Sequence, residues 1–183
     1  MVNFYLHKYT TNESMYAGIV APHKYRLQLI KTGGHQKTVL DAWQKDKQKI
    51  LVRYISELEK QFNKTDTFLL FVPPTNTKIF TNDIVEKIKI EFPNALDLVD
   101  CFKKTSDVSF GDAKYKDFTI EQLLKYIEVD IDILRKADNK IKMAFIVDDV
   151  HSSGKSIELT KHLIKKNISN DIEIKSGVIL TTT

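Results

Sequence analysis

Asp148 and Asp149 stand side by side behind four apolar residues, Ala144 to Val147. Ahead of them a small-residue loop, His151, Ser152, Ser153 and Gly154, runs into Lys155 and Ser156. Two adjacent carboxylates accept from sugar hydroxyls or support a divalent cation that prefers oxygen ligands. The loop suits the opposite charge. A small-residue turn entering a helix presents backbone N–H groups and the positive end of the helix dipole to an anion. The hydroxyls of Ser152, Ser153 and Ser156 add donors suited to phosphate oxygens. Phosphate placed on the aspartates would be repelled, so the two halves must hold different parts of one ligand. A sugar phosphate fits both, with its hydroxyls on the acids and its phosphate in the loop.

Other readings of the same residues fare worse. Gly154-Lys155-Ser156 ends like a P-loop, but that pattern needs glycine where Asp149 sits. An acid pair after an apolar strand also opens the site of a response-regulator receiver, yet too little chain follows Asp149 to build one. A core strand ending in two solvated aspartates and a polar turn would account for the parts singly. It would leave unexplained why strand, acid pair, loop and helix start all agree.

Phe68 to Val72 is a continuous apolar run and hence a buried strand. The residues behind it, Pro73, Pro74, Thr75, Asn76 and Thr77, form a second polar loop whose prolines stiffen its start. Pro73 or Pro74 could adopt a cis bond there. Lys103 and Lys104 open a stretch, residues 103 to 117, that lacks periodicity and reads as a mobile loop; Phe110 and Tyr115 in it could stack on a base. His151 titrates near neutrality when unperturbed, but among amides facing phosphate it reads as a shape-filling residue. His7, His23, His35 and His162 show no metal-ligand spacing, and Cys101 is alone, which excludes a disulfide framework and a cysteine metal site.

The elements that must position these groups alternate. Residues 2 to 10 and 25 to 32 read as strands, with Gly33-Gly34 as a turn. Helical spacing runs from Thr38 to Phe62 through Leu40, Trp43, Ile50, Leu51, Tyr54, Ile55 and Leu58. A helix follows from Asp83 to Glu91 with an Asp-x-x-Glu start, then a strand from Ala95 to Phe102. Thr119 caps a further helix with Gln122 at its third position, and its apolar face continues through Ile120, Leu123, Leu124, Ile127, Ile131 and Leu134. Strand 143–148, helix 156–166 and strand 172–181 close the chain. This order implies an α/β fold with a doubly wound, mostly parallel sheet and ligands at the carboxyl ends of its strands. No repeat or linker interrupts it, so residues 1–183 read as one domain, with a core of about 66–183 and an N-terminal strand and helix extension over 1–65. The 183 residues are 42% hydrophobic and 28% charged with a net charge of +4, ordinary for a globular protein. No apolar run approaches a membrane span and no signal pattern opens the chain, which points to the cytoplasm. Scattered lysines suit phosphorylated small molecules and argue against nucleic acid.

The segment 144–156 resembles the diphosphoribose-binding signature of the type I phosphoribosyltransferases: four apolar residues, two acids, then a Thr/Ser-rich loop with Gly. The order of parts over residues 66 to 183 matches that family too. The closing strand 172–183 and Phe102-Lys103-Lys104-Thr105 resemble the competence-protein-F-like members. The resemblance implies a pentosyltransferase that binds phosphoribosyl pyrophosphate with Mg2+ and passes phosphoribose to a base or related acceptor. In its terms Asp148 and Asp149 hold the ribose hydroxyls and the metal, the latter through water or substrate. His151, Ser152, Ser153, Gly154, Lys155 and Ser156 hold the 5′-phosphate, and Pro74, Thr75, Asn76 and Thr77 the pyrophosphate. Lys103 and Lys104 neutralise the leaving group. Ser152 stands where some purine-salvage members carry a carboxylate, and Lys114 and Lys116 are the cations nearest to where the family's loop carries arginines. The alternative is a non-catalytic member that senses a sugar phosphate or nucleotide, or an effector keeping the fold. A homodimer or a protein partner stays open.

Overall fold

Uncharged runs such as 68–72 and 144–147 must be covered on both faces, which a parallel sheet between two helical layers achieves. The computed structural model describes residues 2–9, 36–74, 79–105, 117–137, 140–151 and 154–182. Their elements in chain order are β1 (Phe4–Tyr9), α1 (Gln36–Leu58), β2 (Leu69–Phe71), α2 (Ile79–Glu91), β3 (Leu96–Asp97) and β4 (Phe102–Lys104). These are followed by α3 (Ile120–Leu124), β5 (Ile127–Val129), α4 (Ile131–Leu134), β6 (Met143–His151), α5 (Lys155–Asn167) and β7 (Glu173–Thr182). Five strands form one sheet in the order β1-β7-β6-β2-β3, and each of its four pairings is parallel. β4 and β5 form a separate antiparallel ribbon.

Side chains alternate across the sheet and divide the core in two. Phe4, Leu6, Leu70, Val72, Phe145, Val147 and Ile179 pack with α1 and α2, through residues such as Tyr54, Leu58, Ile84 and Ile88. Leu69, Phe71, Ala144, Ile146 and Val178 pack with Ile157, Leu159 and Ile164 of α5, and with Leu123 and Leu134. Helices therefore cover both faces. Strand order also reverses within the sheet: β2 leads outward to β3, and β6 leads the other way to β7. The crevice at the carboxyl ends of β2 and β6 is thus the switch point at which open α/β sheets bind ligands.

Several local expectations change. α2 begins one turn before Asp83, so Asp83 is no helix cap; its carboxylate instead accepts from Lys47 Nζ at 2.6 Å. The strand expected over 95–102 is split. Leu96–Asp97 stays in the sheet, whereas Phe102 pairs with Val129 in the ribbon. The helix expected from Thr119 onward stops at Leu124, because the β-branched Ile127 and Val129 pair with β4 and Asp130 caps a new helix at Ile133 N. The capping box itself is present as read: Thr119 accepts from Gln122 N, and the Gln122 side chain accepts from Thr119 N. The bonds preceding Pro73 and Pro74 are trans, the default even for proline. The strand expected at 25–32, the Gly33-Gly34 turn and most of the loop expected over 103–117 lie outside the described residues.

Candidate functional site

The acid pair does not end its strand. β7 runs on beside β6, pairing Asp148 with Val178, Val150 with Leu180 and His151 with Thr181, so β6 extends to His151. On the other side the ladder stops at Phe71↔Ile146, and Pro73 and Pro74 supply no N–H to continue it. Asp148 and Asp149 therefore lie two and three residues past the end of the β2 ladder while still held by β7. This half-open position places the pair at the switch-point end of β6.

Asp148 is buried, with 6% of its surface exposed, which the rival reading of two solvated aspartates does not accommodate. Its Oδ1 accepts from the Asp149 N–H at 2.9 Å. Burial first, and the neighbouring Asp149 charge second, hold its carboxyl well above the usual range; the bond from the Asp149 amide acts the other way. Asp149 follows on the opposite face and is half-buried. Beneath β6 and β7, the fully buried Tyr54 of α1 donates its hydroxyl to Gly177 O at 2.8 Å. Its phenol is pushed well up by burial and then by the charge of Asp148. Phe4 of β1 lies edge-on to Tyr54 at 5.0 Å and covers Gly177, where a Cβ would come within 2.7 Å of Phe4 Cε1.

The loop end of the site turns at Gly154, whose φ of +77° is a left-handed conformation that glycine adopts without strain. A Cβ there would stand 2.9 Å from His151 Nε2, so the imidazole packs directly against the turn. His151 Nδ1 lies 3.4 Å from Thr181 Oγ1. Burial lowers the pKa of the His151 imidazole, which favours its neutral form in the ligand-free protein. Gly154 serves as the N-cap of α5 with no side-chain cap, and its carbonyl accepts the first helical bond, from Glu158 N at 3.0 Å. The amides of the first turn, at Lys155, Ser156 and Ile157, precede that bond and have no acceptor within the helix. Lys155 Nζ instead reaches Phe118 O at 2.9 Å. The Ser156 carbonyl accepts from Thr160 Oγ1 at 2.7 Å.

The structure thus brings Asp148, Asp149, His151, Gly154, Lys155 and Ser156 to one strand–turn–helix. It sets Pro73 and Pro74, both buried, behind the neighbouring parallel strand at the same sheet edge. Thr75, Asn76, Thr77, Ser152 and Ser153 lie outside the described residues. Lys103 and Lys104 are not on a loop but in β4, opposite Glu128 and Ile127, because the ribbon with β5 recruits them. Lys103 Nζ is ion-paired to Asp130 Oδ2 at 2.9 Å, and the hydrogen bond to that carboxylate raises the pKa of an exposed lysine. Among the described residues no cluster of three or more His, Cys, Asp or Glu could hold a metal by itself.

Sequence reasoning placed Tyr54 in the core by its helical spacing and missed that its hydroxyl supports the strand beside the acid pair. Gly177 carried the signal, a lone glycine within a strand, which marks close backbone approach. No protein-family model matches the chain, and no curated protein is similar to it.

Proposed function

We propose that the chain binds a phosphorylated ribose of the phosphoribosyl pyrophosphate class, with the acid pair on the sugar hydroxyls and the Gly154 turn on the 5′-phosphate. The observation that carries this reading is the joining of two unlike half-sites on one strand–turn–helix at the switch point of a parallel sheet. A buried carboxyl beside a second carboxyl stands on β6, and the N-terminal turn of α5 begins at a left-handed glycine. The Asp148 carboxyl accepts from the Asp149 amide, and Asp149 beside it adds a second carboxyl to the same stretch of β6. A parallel five-stranded sheet flanked by helices is consistent with the fold that resemblance to the type I phosphoribosyltransferases implies, and in that reading the loop behind β2 would meet pyrophosphate across the crevice.

Carboxylates such as those of Asp148 and Asp149 would suit Mg2+, which takes oxygen ligands and keeps most of its shell as water and substrate oxygens. When bound, that ion would lend positive charge to the departing pyrophosphate. The chain's own contribution is to orient the sugar through Asp148 and Asp149, and to fix the phosphate through amides that need no reorganisation. His151, packed against Gly154, shapes the turn. As a transferase the protein would also need a cation at the leaving group. The ion pair that holds Lys103 to Asp130 favours a second reading, a binder or sensor that retains the site without transfer.

Titration with phosphoribosyl pyrophosphate, with and without Mg2+, followed by thermal shift, tests binding, because a ligand specific for the folded state raises its Tm. Pyrophosphate release in the presence of a panel of bases then separates transferase from sensor. Absence of any shift with phosphoribosyl pyrophosphate, ribose 5-phosphate or nucleoside monophosphates would end both readings.

A further inference from the structure

Lys155 is the first residue of α5, next to Gly154, and its ammonium is bonded to the main-chain carbonyl of Phe118, 37 positions earlier. Phe118 directly precedes Thr119, the N-cap of α3. α3 leads into β5, and β5 pairs with β4 through Lys103↔Glu128 and Lys104↔Ile127. A continuous path of covalent and hydrogen-bonded structure therefore runs from the Gly154 turn to the two lysines that the family resemblance places at the leaving group. Elsewhere this unit is held to α5 by apolar packing of Leu123 and Leu134 in the shared core. Such packing resists separation but permits sliding. A charged donor on a carbonyl is directional and stronger than a neutral pair.

We propose that Lys155 is a positioning residue: it ties the anion turn to the unit 118–134, and so sets where Lys103 and Lys104 stand relative to a bound sugar phosphate. The proposal rests on the reading of the Gly154 turn as an anion site, and it changes the role of Lys155 within it. An ammonium engaged with Phe118 O keeps its positive charge, so it tethers two parts of the site in addition to any attraction it exerts on the phosphate. Coupling of this kind is reciprocal. An anion that fixes the first turn of α5 steadies α3, and a steadied α3 favours the anion.

Hydrogen exchange on the full chain tests the tether before any ligand is added. Lys155→Met keeps the alkyl stem and removes the donor, so amides of Ile120–Leu124 should exchange roughly 10–100-fold faster, the range for loss of one charge-assisted hydrogen bond. The Leu159–Ile164 core of α5 should be unchanged, and Lys155→Arg should restore the wild-type pattern. Lys155→Gln, which keeps a neutral donor, takes the place of the Met variant if that one does not fold. With ribose 5-phosphate as probe, wild type should gain protection at Ile120–Leu124 and Lys155→Met should lose that gain, while its affinity falls less than about 10-fold. Unchanged exchange of Ile120–Leu124 in ligand-free Lys155→Met overturns the proposal. So does a larger loss of affinity without any change in exchange, which would make Lys155 a direct phosphate ligand. Failure of wild type to bind ribose 5-phosphate or phosphoribosyl pyrophosphate would overturn the anion-site reading and leave the ligand-free exchange to decide the tether.

Discussion

Burying Asp148 beside Asp149 raises the free energy of the ligand-free protein whenever Asp148 is ionised. The sign follows from proton binding. An unfolded Asp titrates near about 3.9, and the folded carboxyl titrates higher. Between those two values the folded chain holds a proton that the unfolded chain has lost. The Asp148 contribution to stability is therefore most favourable below the unfolded value, declines as pH rises through the folded one, and stays low above it. Asp148→Asn removes the charge and keeps an oxygen for the Asp149 amide. It should stabilise the protein at neutral pH by about 1 kcal/mol, or roughly 2–4 °C in Tm for a chain of this length. The advantage should shrink as pH falls toward about 4, which urea unfolding across that range would show. The same variant should weaken sugar-phosphate binding on the order of 10–100-fold, the worth of one charge-assisted hydrogen bond. A variant that binds as tightly as wild type would remove Asp148 from the site. The sequence displayed the identity of this pair but not its burial. How far β6 runs depends on β7, a partner that lies beyond the loop and α5, and local composition carries no record of it.

At the scale of elements, the turn into α5 rests on Gly154. Gly154→Ala places a side chain in a left-handed backbone and against His151 Nε2. The conformational cost alone is about 1–2 kcal/mol. Chemical unfolding should register that loss, and calorimetry with ribose 5-phosphate should show binding reduced well beyond it, since the turn must shift to relieve the contact. Thr119→Ala removes the half of the capping box that the Thr119 hydroxyl makes with Gln122 N, leaves the bond from the residue-119 amide to the Gln122 side chain, and should cost about 1 kcal/mol, with faster exchange confined to Ile120–Leu124 and its neighbours. Equal exchange there in variant and wild type would show that packing alone holds α3. The capping box was legible because its partners lie three residues apart. The fate of the residues behind it was not. The apolar positions Ile127, Ile131 and Leu134 fit a helical stripe, and only pairing with β4 makes Ile127–Val129 a strand. Asp83 misled in the same way: its cap-like spacing with Glu86 is overridden by Lys47, which approaches from α1.

For the molecule as a whole, alternation of apolar runs and helical stripes was enough to anticipate a parallel α/β sheet with its loops at one edge. It could not reveal that β1 completes the sheet beside β7. That seam depends on Gly177, over which Phe4 lies, and on Tyr54, which bonds the Gly177 carbonyl from below. Gly177→Ala should destabilise the fold by roughly 1–3 kcal/mol through overpacking, and amides of Phe4–Tyr9 should lose protection first. Adding Phe4→Leu should recover part of the loss, because the two residues are in contact and their effects do not add. Full additivity in a double-mutant cycle would place the strain elsewhere.

The same seam bears on how the protein is made. Asn3 and Ser176, hydrogen-bonded in both directions across it, are separated by 173 positions. At translation rates of about 5–20 residues per second, β1 leaves the ribosome roughly 10–35 s before its partner strand exists. For that interval Phe4 and Leu6, buried in the finished sheet, belong to an apolar strand with an open edge, the kind of segment that associates with other chains. Slowing elongation through residues 155–175 should therefore lower the soluble yield in cells without changing the stability of the purified protein. Supplying β1 in trans to a chain lacking it should let the sheet close after synthesis.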